Sequence, residues 1–157
     1  MQHTQYISTR GQMAAAEFTE VLLAGLAPDG GLAVPSQLPA LSPEQIEAWR
    51  PLGYAELATE VIGLFATDIP REDLAKLTQA AYGPQRFPQP VVPVTGLDDV
   101  ADGLTLVGLS EGPTMAFKDL AMQFLGQAIP RVLARRGRVG LRAVDAHKPR
   151  GRLGIHT

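Results

Sequence analysis

The chain has 157 residues, enough for one ordinary domain or for one small domain and part of another. Hydrophobic residues make up 45% of it, the formal net charge is −2, and cysteine is absent, which excludes disulfides and thiolate metal sites. No basic leader followed by an apolar core and no apolar run of membrane-spanning length occurs, so we expect a cytoplasmic protein with no membrane partner.

The first 82 residues are predicted to be mostly helical. Residues 5–8 form a short strand, and residues 14–25 carry apolar side chains at helical spacing until the turn at Pro28-Asp29-Gly30-Gly31. Ser42 followed by Pro43 and Gln45 is typical of a helix start. Two further helices are predicted over residues 54–66 and 70–82. The first of these helices carries an apolar stripe of Leu57, Val61, Leu64 and Phe65. The second carries an apolar stripe of Leu74, Leu77, Ala81 and Tyr82.

The second part of the chain is predicted to begin a different structural unit. Residues 87–93 are extended and proline-rich, residues 96–103 form a polar loop, and residues 104–109 are predicted to form a buried strand. A long helix starts near Phe117, and Pro130 is expected to kink or restart it. The side chains expected on its buried face are Phe117, Ala121, Phe124, Leu125 and Ala128. Helices alternating with a late strand indicate an α/β architecture.

The segment from Ser110 to Asp119 contains one lysine, Lys118, placed in the first turn of this helix. The positive dipole end of a helix disfavours a second positive charge there. Burial against Met115 and Phe117 would favour a neutral, nucleophilic amine, and such amines form Schiff bases with aldehydes. From the local residues alone the alternative is a solvated lysine whose stem lies on apolar neighbours.

Other candidate sites are weaker. Asp98, Asp99 and Asp102 suggest a calcium loop, but the spacing fails the EF-hand pattern, so a solvated acidic loop is favoured. No histidine pairs with another at metal-ligand spacing, and we predict no metal site. Gly30-Gly31 belongs to no Walker or dinucleotide motif and is predicted to be a turn. Arg10 is either an anion-binding side chain or an ordinary surface arginine.

Three sequence blocks occur in the order in which they occur in one enzyme family. Gly112-Pro-Thr-Met-Ala-Phe-Lys-Asp119 resembles the lysine motif of threonine synthases. Residues 6–11 (Tyr-Ile-Ser-Thr-Arg-Gly) resemble the opening of that family, and residues 22–32 resemble its next block. The likeness extends from about Tyr6 to Gly137.

The resemblance implies a pyridoxal 5′-phosphate (PLP) enzyme of the tryptophan synthase β-like fold that converts O-phospho-L-homoserine to L-threonine and phosphate. Lys118 matches the lysine that holds PLP and would also act as a base, which makes it both the catalytic and the cofactor-binding residue. Asp119 is interpreted as structural. The substrate loop and the glycine-rich phosphate segment that follow the lysine helix in the family have no counterpart here.

The resemblance ends where the charge balance inverts. Residues 1–130 hold 6 Lys/Arg and 15 Asp/Glu, whereas residues 131–157 hold 8 Lys/Arg and one acid. We hypothesise that residues from about Arg138 onward are translated out of frame, so that the chain is a truncated threonine synthase with little or no activity alone. The alternative is a non-catalytic fragment or interaction module with a basic tail. No Phe, Tyr or Trp lies between Arg131 and Thr157 to stack on bases, which argues against nucleic acid.

The sequence thus predicts an α/β fold that is mostly helical in its N-terminal unit and then begins a truncated PLP-enzyme domain. The predicted divisions are residues 1–90 for the N-terminal domain, 91–137 for the start of the catalytic domain, and 138–157 for the anomalous basic tail. The sequence does not determine the oligomeric state.

Overall fold

A computed structural model describes residues 4–137. Two short antiparallel ladders and five helices make up this part of the chain. The predicted basic tail over residues 138–157 lies outside the described residues. In the part that is described, no helix is long and apolar enough to cross a membrane.

The first ladder pairs strand β1 (Tyr6–Ser8) with strand β2 (Ala33–Pro35), and Tyr6 lies opposite Pro35. Helix α1 (Phe18–Ala24) lies between them in sequence and begins four residues later than predicted. The reason is that Ala16 pairs with Tyr6 in an isolated bridge, with N···O distances of 2.8 and 3.1 Å. The backbone before Phe18 is therefore held extended.

Three helices follow: α2 (Pro43–Trp49), α3 (Tyr54–Gly63) and α4 (Arg71–Tyr82). The predicted cap of α2 is confirmed, because the Ser42 hydroxyl accepts a hydrogen bond from the N–H of Gln45 at 3.2 Å. The predicted stripe of α4 is also confirmed. All four of its members are buried, namely Leu74, Leu77, Ala81 and Tyr82.

The second ladder is a hairpin of β3 (Val94–Gly96) and β4 (Thr105–Val107), and it corrects one prediction. The sequence predicted a buried strand over residues 104–109, whereas all three residues of β4 are exposed. Within residues 4–137 the hairpin is a two-stranded sheet, and Leu106 is 58% exposed. An apolar run shows that a strand is suited to burial, but it does not show what covers it.

Helix α5 (Asp119–Arg135) completes the described chain. Pro130 lies inside it, so the predicted restart does not occur and the helix is assigned without a break. Phe124 and Ala128 are buried as predicted, but Phe117 and Ala121 are exposed.

One apolar core lies between α3, α4 and α5. It contains Ala66, Ile69, Leu74, Leu77, Ala81, Tyr82, Phe87, Val91, Phe124 and Ala128. Side chains from both sides of residue 90 thus share a core, and the domain boundary at that position stays a prediction. The mixed fold of helices and small sheets agrees with the predicted α/β class. For function, the main consequence is that the start of α5 is packed against α4.

Candidate functional site

The loop before α5 is closed by a pair of hydrogen bonds between Thr114 and Asp119. The N–H of Thr114 donates to Oδ2 of Asp119 at 2.8 Å, and the Thr114 hydroxyl donates to Oδ1 at 2.8 Å. Inside this loop the N–H of Met115 donates to the Gly112 carbonyl at 3.0 Å. We call residues 112–119, closed in this way, the lysine loop.

Asp119 is a structural residue, as predicted, because its side chain is directed into the loop and is 3% exposed. Burial alone raises the pKa of its carboxyl. The donors from Thr114 and from the N–H of Ala116 outweigh burial, so the net pKa is lowered. The carboxylate is therefore ionised at neutral pH, and its charge also suits the N-terminal end of α5.

Two backbone features fix the shape of the lysine loop. A Cβ on Gly112 would lie 2.3 Å from the Cβ of Asp119, so only glycine fits at this approach. Met115 has a φ of 57°, a left-handed conformation that is rare for a residue with a side chain. The loop therefore reverses sharply just ahead of Lys118.

Lys118 is held at the boundary between this loop and the helix. Its φ and ψ are −63° and −21°, and its carbonyl accepts hydrogen bonds from the N–H groups of Ala121 at 3.1 Å and Met122 at 2.8 Å. Lys118 is the N-cap residue of α5, one position before the first residue of the helix. The predicted position at the start of the helix is thus observed, within the one-residue margin of any helix boundary.

The predicted burial of Lys118 is wrong for the described residues. The Lys118 side chain is exposed, and its expected apolar neighbours Met115 and Phe117 are 80% and 65% exposed. Helical spacing supplies the reason: Lys118 shares a face with Met122, which is 53% exposed, while the core face carries Phe124 and Ala128. The amine is available to a small molecule without any opening of the core.

The start of α5 is also anchored from the core side. The Tyr82 hydroxyl donates to the Leu120 carbonyl at 2.8 Å. Burial, followed by the influence of Tyr54, raises the pKa of Tyr82 to about 12, so this phenol stays protonated as a donor. The backbone on both sides of Lys118 is therefore held, by the Thr114–Asp119 pair and by Tyr82.

Asp29 organises a second loop that contains Arg10. Its carboxylate accepts from the Ser8 hydroxyl at 2.7 Å, the Gly31 N–H at 2.9 Å and the Gln12 N–H at 3.0 Å. These hydrogen bonds favour the ionised carboxylate and lower the pKa of Asp29, and the bond from Ser8 has the largest effect. Arg10 is exposed and donates to the Asp29 carbonyl at 3.1 Å. Sequence reasoning missed this role of Asp29, although Pro28-Asp29-Gly30 marked the turn.

The remaining candidates behave as turns. Gly30 has a φ of 74°, as its predicted turn requires. In the acidic loop the N–H of Gly103 donates to Oδ1 of Asp98 at 3.0 Å. Across residues 4–137 no group of three or more His, Cys, Asp or Glu side chains is arranged to hold a metal ion.

Comparison with known proteins identifies the family that the N-terminal part of the chain resembles. Residues 5–82 match the family model for the threonine synthase N terminus. A threonine synthase of Corynebacterium glutamicum is 49% identical to this chain, and the match covers 83% of this chain and 28% of the relative. A threonine synthase of Methylobacillus glycogenes is 42% identical, and the match covers 85% of this chain and 29% of the relative. The chain thus spans less than a third of the length of these relatives.

Solved structures give the same result. A PLP-bound threonine synthase from Brucella melitensis matches with a TM-score of 0.77 and 38% identity, covering 85% of this chain and 28% of that one. The yeast enzyme matches with a TM-score of 0.75 and 32% identity, covering 85% and 27%. The N-terminal part of this chain, including residues 5–82, therefore belongs to the threonine synthase family.

Proposed function

We propose that Lys118 is the PLP-binding lysine of a threonine synthase, an enzyme type that converts O-phospho-L-homoserine to L-threonine and phosphate. The likeness of the lysine loop to the family motif supports this proposal. So does the membership of the N-terminal part in the family, one of whose solved members is PLP-bound.

The observation that carries the proposal is an exposed amine on a fixed backbone. The Thr114–Asp119 pair and the Tyr82–Leu120 bond hold the chain on either side of Lys118, while its side chain is exposed. A lysine that must first hold an aldehyde and later take up a proton at Nζ needs this combination, because positioning lowers the entropic cost of each step. The cofactor, when bound, supplies an electron sink.

The residues around Lys118 fit the aldehyde of PLP but do not fit its phosphate. Residues 110–122 contain one cationic side chain, that of Lys118, and two acids, Glu111 and Asp119. The charge at this helix start is already balanced by the Asp119 carboxylate. We propose that the groups that bind the phosphate and the substrate carboxylate belong to the part of the family scaffold that these 157 residues do not match.

We further propose that the 157-residue chain alone has little or no turnover. It spans 28% of the length of the Corynebacterium relative, and one covalent anchor without the remaining binding groups supplies a small share of the positioning that catalysis needs. The assay is phosphate release from O-phospho-L-homoserine in the presence of PLP. Turnover by the purified chain would overturn the proposal that the chain alone is inactive, and it would not contradict the assignment of Lys118.

Covalent labelling tests the assignment of Lys118. The purified chain is incubated with PLP and reduced with borohydride, and the modified lysines are mapped by mass spectrometry. We expect preferential labelling of Lys118 over Lys76 and Lys148, the other lysines of the chain.

Two matched variants complete the experiment. Lys118→Arg should abolish the main adduct, and Lys76→Arg should leave it in place, because Lys76 lies on the exposed side of α4. Equal labelling of all three lysines in the unmodified chain would show that no PLP site has formed around Lys118.

A further inference from the structure

Residues 94–117, which include the β3–β4 hairpin and most of the lysine loop, have almost no core of their own. Within this range Gly112 alone is buried. Eight of the sixteen large apolar side chains that are exposed in residues 4–137 nevertheless lie here, so the exposed apolar area is concentrated in this segment. We call the six of them that precede the lysine loop the hairpin surface, namely Val94, Val100, Leu104, Leu106, Val107 and Leu109.

The ladder of β3 and β4 exposes apolar side chains on both of its sides. Val94 lies opposite Val107, so these two side chains point to one side of the ladder, and Leu106 points to the other. All three are at least half exposed. A sheet that faces water on one side alternates apolar and polar residues, whereas apolar residues on both sides are typical of strands that are covered from both sides. The hairpin surface therefore has the composition of a contact surface.

The charge around the hairpin surface discriminates between its candidate occupants. Residues 94–117 contain four acids, Asp98, Asp99, Asp102 and Glu111, and no Lys or Arg. A second copy of this chain, docked through the same surface, would bring the same four acids to the contact, and like charges placed together oppose association. An anionic membrane would be repelled in the same way. The charge therefore favours a polypeptide whose apolar face is bordered by cationic side chains.

We propose that the hairpin surface docks the part of the threonine synthase scaffold that this chain does not match, supplied as a second polypeptide. The inference rests on the proposed function of Lys118, because residues 110–122 offer one amine for the aldehyde of PLP and no other cation for its phosphate. A partner that completes the site must bring cationic groups, which suits the acidic surroundings of the hairpin. The match covers 28% of the Corynebacterium relative, so most of that scaffold lies outside it.

Co-expression tests the docking directly. The full chain, carrying an affinity tag, is expressed together with the part of the Corynebacterium glutamicum enzyme that follows its matched region. We expect the two polypeptides to co-purify as a one-to-one complex in buffer without added PLP, as measured by size-exclusion chromatography with light scattering. Failure to co-purify would overturn the proposal. A dimer of this chain that Leu106→Glu disrupts would also overturn it, because a second copy would then occupy the hairpin surface.

One substitution in the hairpin surface and one outside it assign the contact. Leu106→Glu places a charge where the partner must exclude water, so the partner should dissociate from the immobilised chain about tenfold faster or fail to co-purify. Leu38→Glu is the matched control, because Leu38 is 80% exposed and lies between β2 and α2. Circular dichroism establishes that both variants are folded. Equal weakening by the two substitutions would contradict docking at the hairpin surface.

The acidic residues predict that association depends on salt. The double variant Asp99→Asn, Asp102→Asn removes two charges and keeps Asp98, whose carboxylate accepts a hydrogen bond from the N–H of Gly103 at 3.0 Å. At low ionic strength the released partner should rebind this variant about threefold more slowly than the unmodified chain, and high salt should remove the difference. Equal rebinding rates at low ionic strength would contradict a partner with cationic borders.

Phosphate release from O-phospho-L-homoserine separates this proposal from the assignment of Lys118. With PLP added, Lys118→Arg should assemble like the unmodified chain but release no phosphate. If the Lys118→Arg complex were as active as the unmodified complex, the docking would be supported and the assignment of Lys118 would be wrong. If PLP labelled Lys118 in a chain that forms no complex, the docking would be wrong and the assignment would stand.

Discussion

The hydroxyl of Tyr82, at the end of α4, donates a hydrogen bond to the carbonyl of Leu120 in the first turn of α5 at 2.8 Å. Tyr82 is 7% exposed, and its ring packs edge-on against that of Tyr54, with centroids 5.1 Å apart and an interplanar angle of 78°. This bond ties the turn that follows Lys118 to the helical core. The position of the candidate lysine therefore depends on a residue of the preceding helix.

Removing this donor should destabilise the fold. In Tyr82→Phe the ring stays in place but the Leu120 carbonyl loses its side-chain partner, so we expect the free energy of unfolding to fall by about 1–2 kcal/mol. The measurement is equilibrium unfolding in urea followed by circular dichroism.

Tyr54→Phe is the matched control for that experiment. The Tyr54 hydroxyl makes no hydrogen bond to another residue of the described range, so its loss should change the free energy of unfolding by less than about 0.5 kcal/mol. An equal effect of the two substitutions would contradict a specific role for the Tyr82–Leu120 bond.

The raised pKa of Tyr82 predicts a loss of stability in alkali. The folded state favours the neutral phenol, whose pKa rises from 10.0 to about 12. This contribution is fully present below pH 10, the unfolded value, and is lost as the pH rises from about 10 to about 12. Tyr82→Phe should therefore lose less stability than the unmodified chain over that range. Parallel stability curves would show that the phenol is not desolvated.

The sequence predicted the helices best where their own residues decide the outcome. The stripe of α4 follows from helical periodicity, and the cap of α2 follows from Ser42 and its neighbours. The start of α1 was placed too early because Ala16 is held by Tyr6, a contact that helical spacing does not reveal.

The sequence predicted where Lys118 lies in the fold, but it did not predict which residues surround it or how exposed it is. The motif located Lys118 at a helix start, which the backbone confirms. The prediction of its burial was wrong because the spacing puts Lys118 on the face of Met122, not on the face of Phe124. The Thr114–Asp119 pair was not predicted, since it depends on a reversal of the chain at Met115.

Asp119 should stabilise the lysine loop measurably. Asp119→Ala leaves both donors of Thr114 without their acceptor, and we expect a loss of about 2 kcal/mol, in the range for hydrogen bonds to a charged group. The loop should also loosen, so the preference of PLP for Lys118 in the labelling experiment should fall. Asp99→Ala, in the exposed acidic loop, should change neither property.

The pH dependence of this effect has a defined sign. Because the folded pKa of Asp119 is lowered from 3.8, its contribution is present above that pH and is lost as the pH falls through the folded value. The stability difference between the unmodified chain and Asp119→Ala should therefore shrink in acid. A difference that stays constant on acidification would show that the carboxylate charge does not stabilise the loop.

Gly112, in the lysine loop, and Gly126, inside α5, should respond to alanine in opposite directions. A Cβ on Gly112 would lie 2.3 Å from the Cβ and 2.5 Å from Oδ2 of Asp119, so Gly112→Ala must displace the residue that closes the lysine loop. We expect a loss of at least about 2 kcal/mol in the free energy of unfolding, as for other overpacked sites. Gly126 lies inside α5, and apart from its chain neighbours and the backbone of its own helix no atom lies within 4 Å of the position that its Cβ would occupy. Gly126→Ala should therefore stabilise the chain by up to about 1 kcal/mol through helix propensity.

Urea unfolding of both variants measures the two effects on one scale. If Gly112→Ala were as stable as the unmodified chain, the close approach of Gly112 to Asp119 would not be a constraint on the loop that presents Lys118.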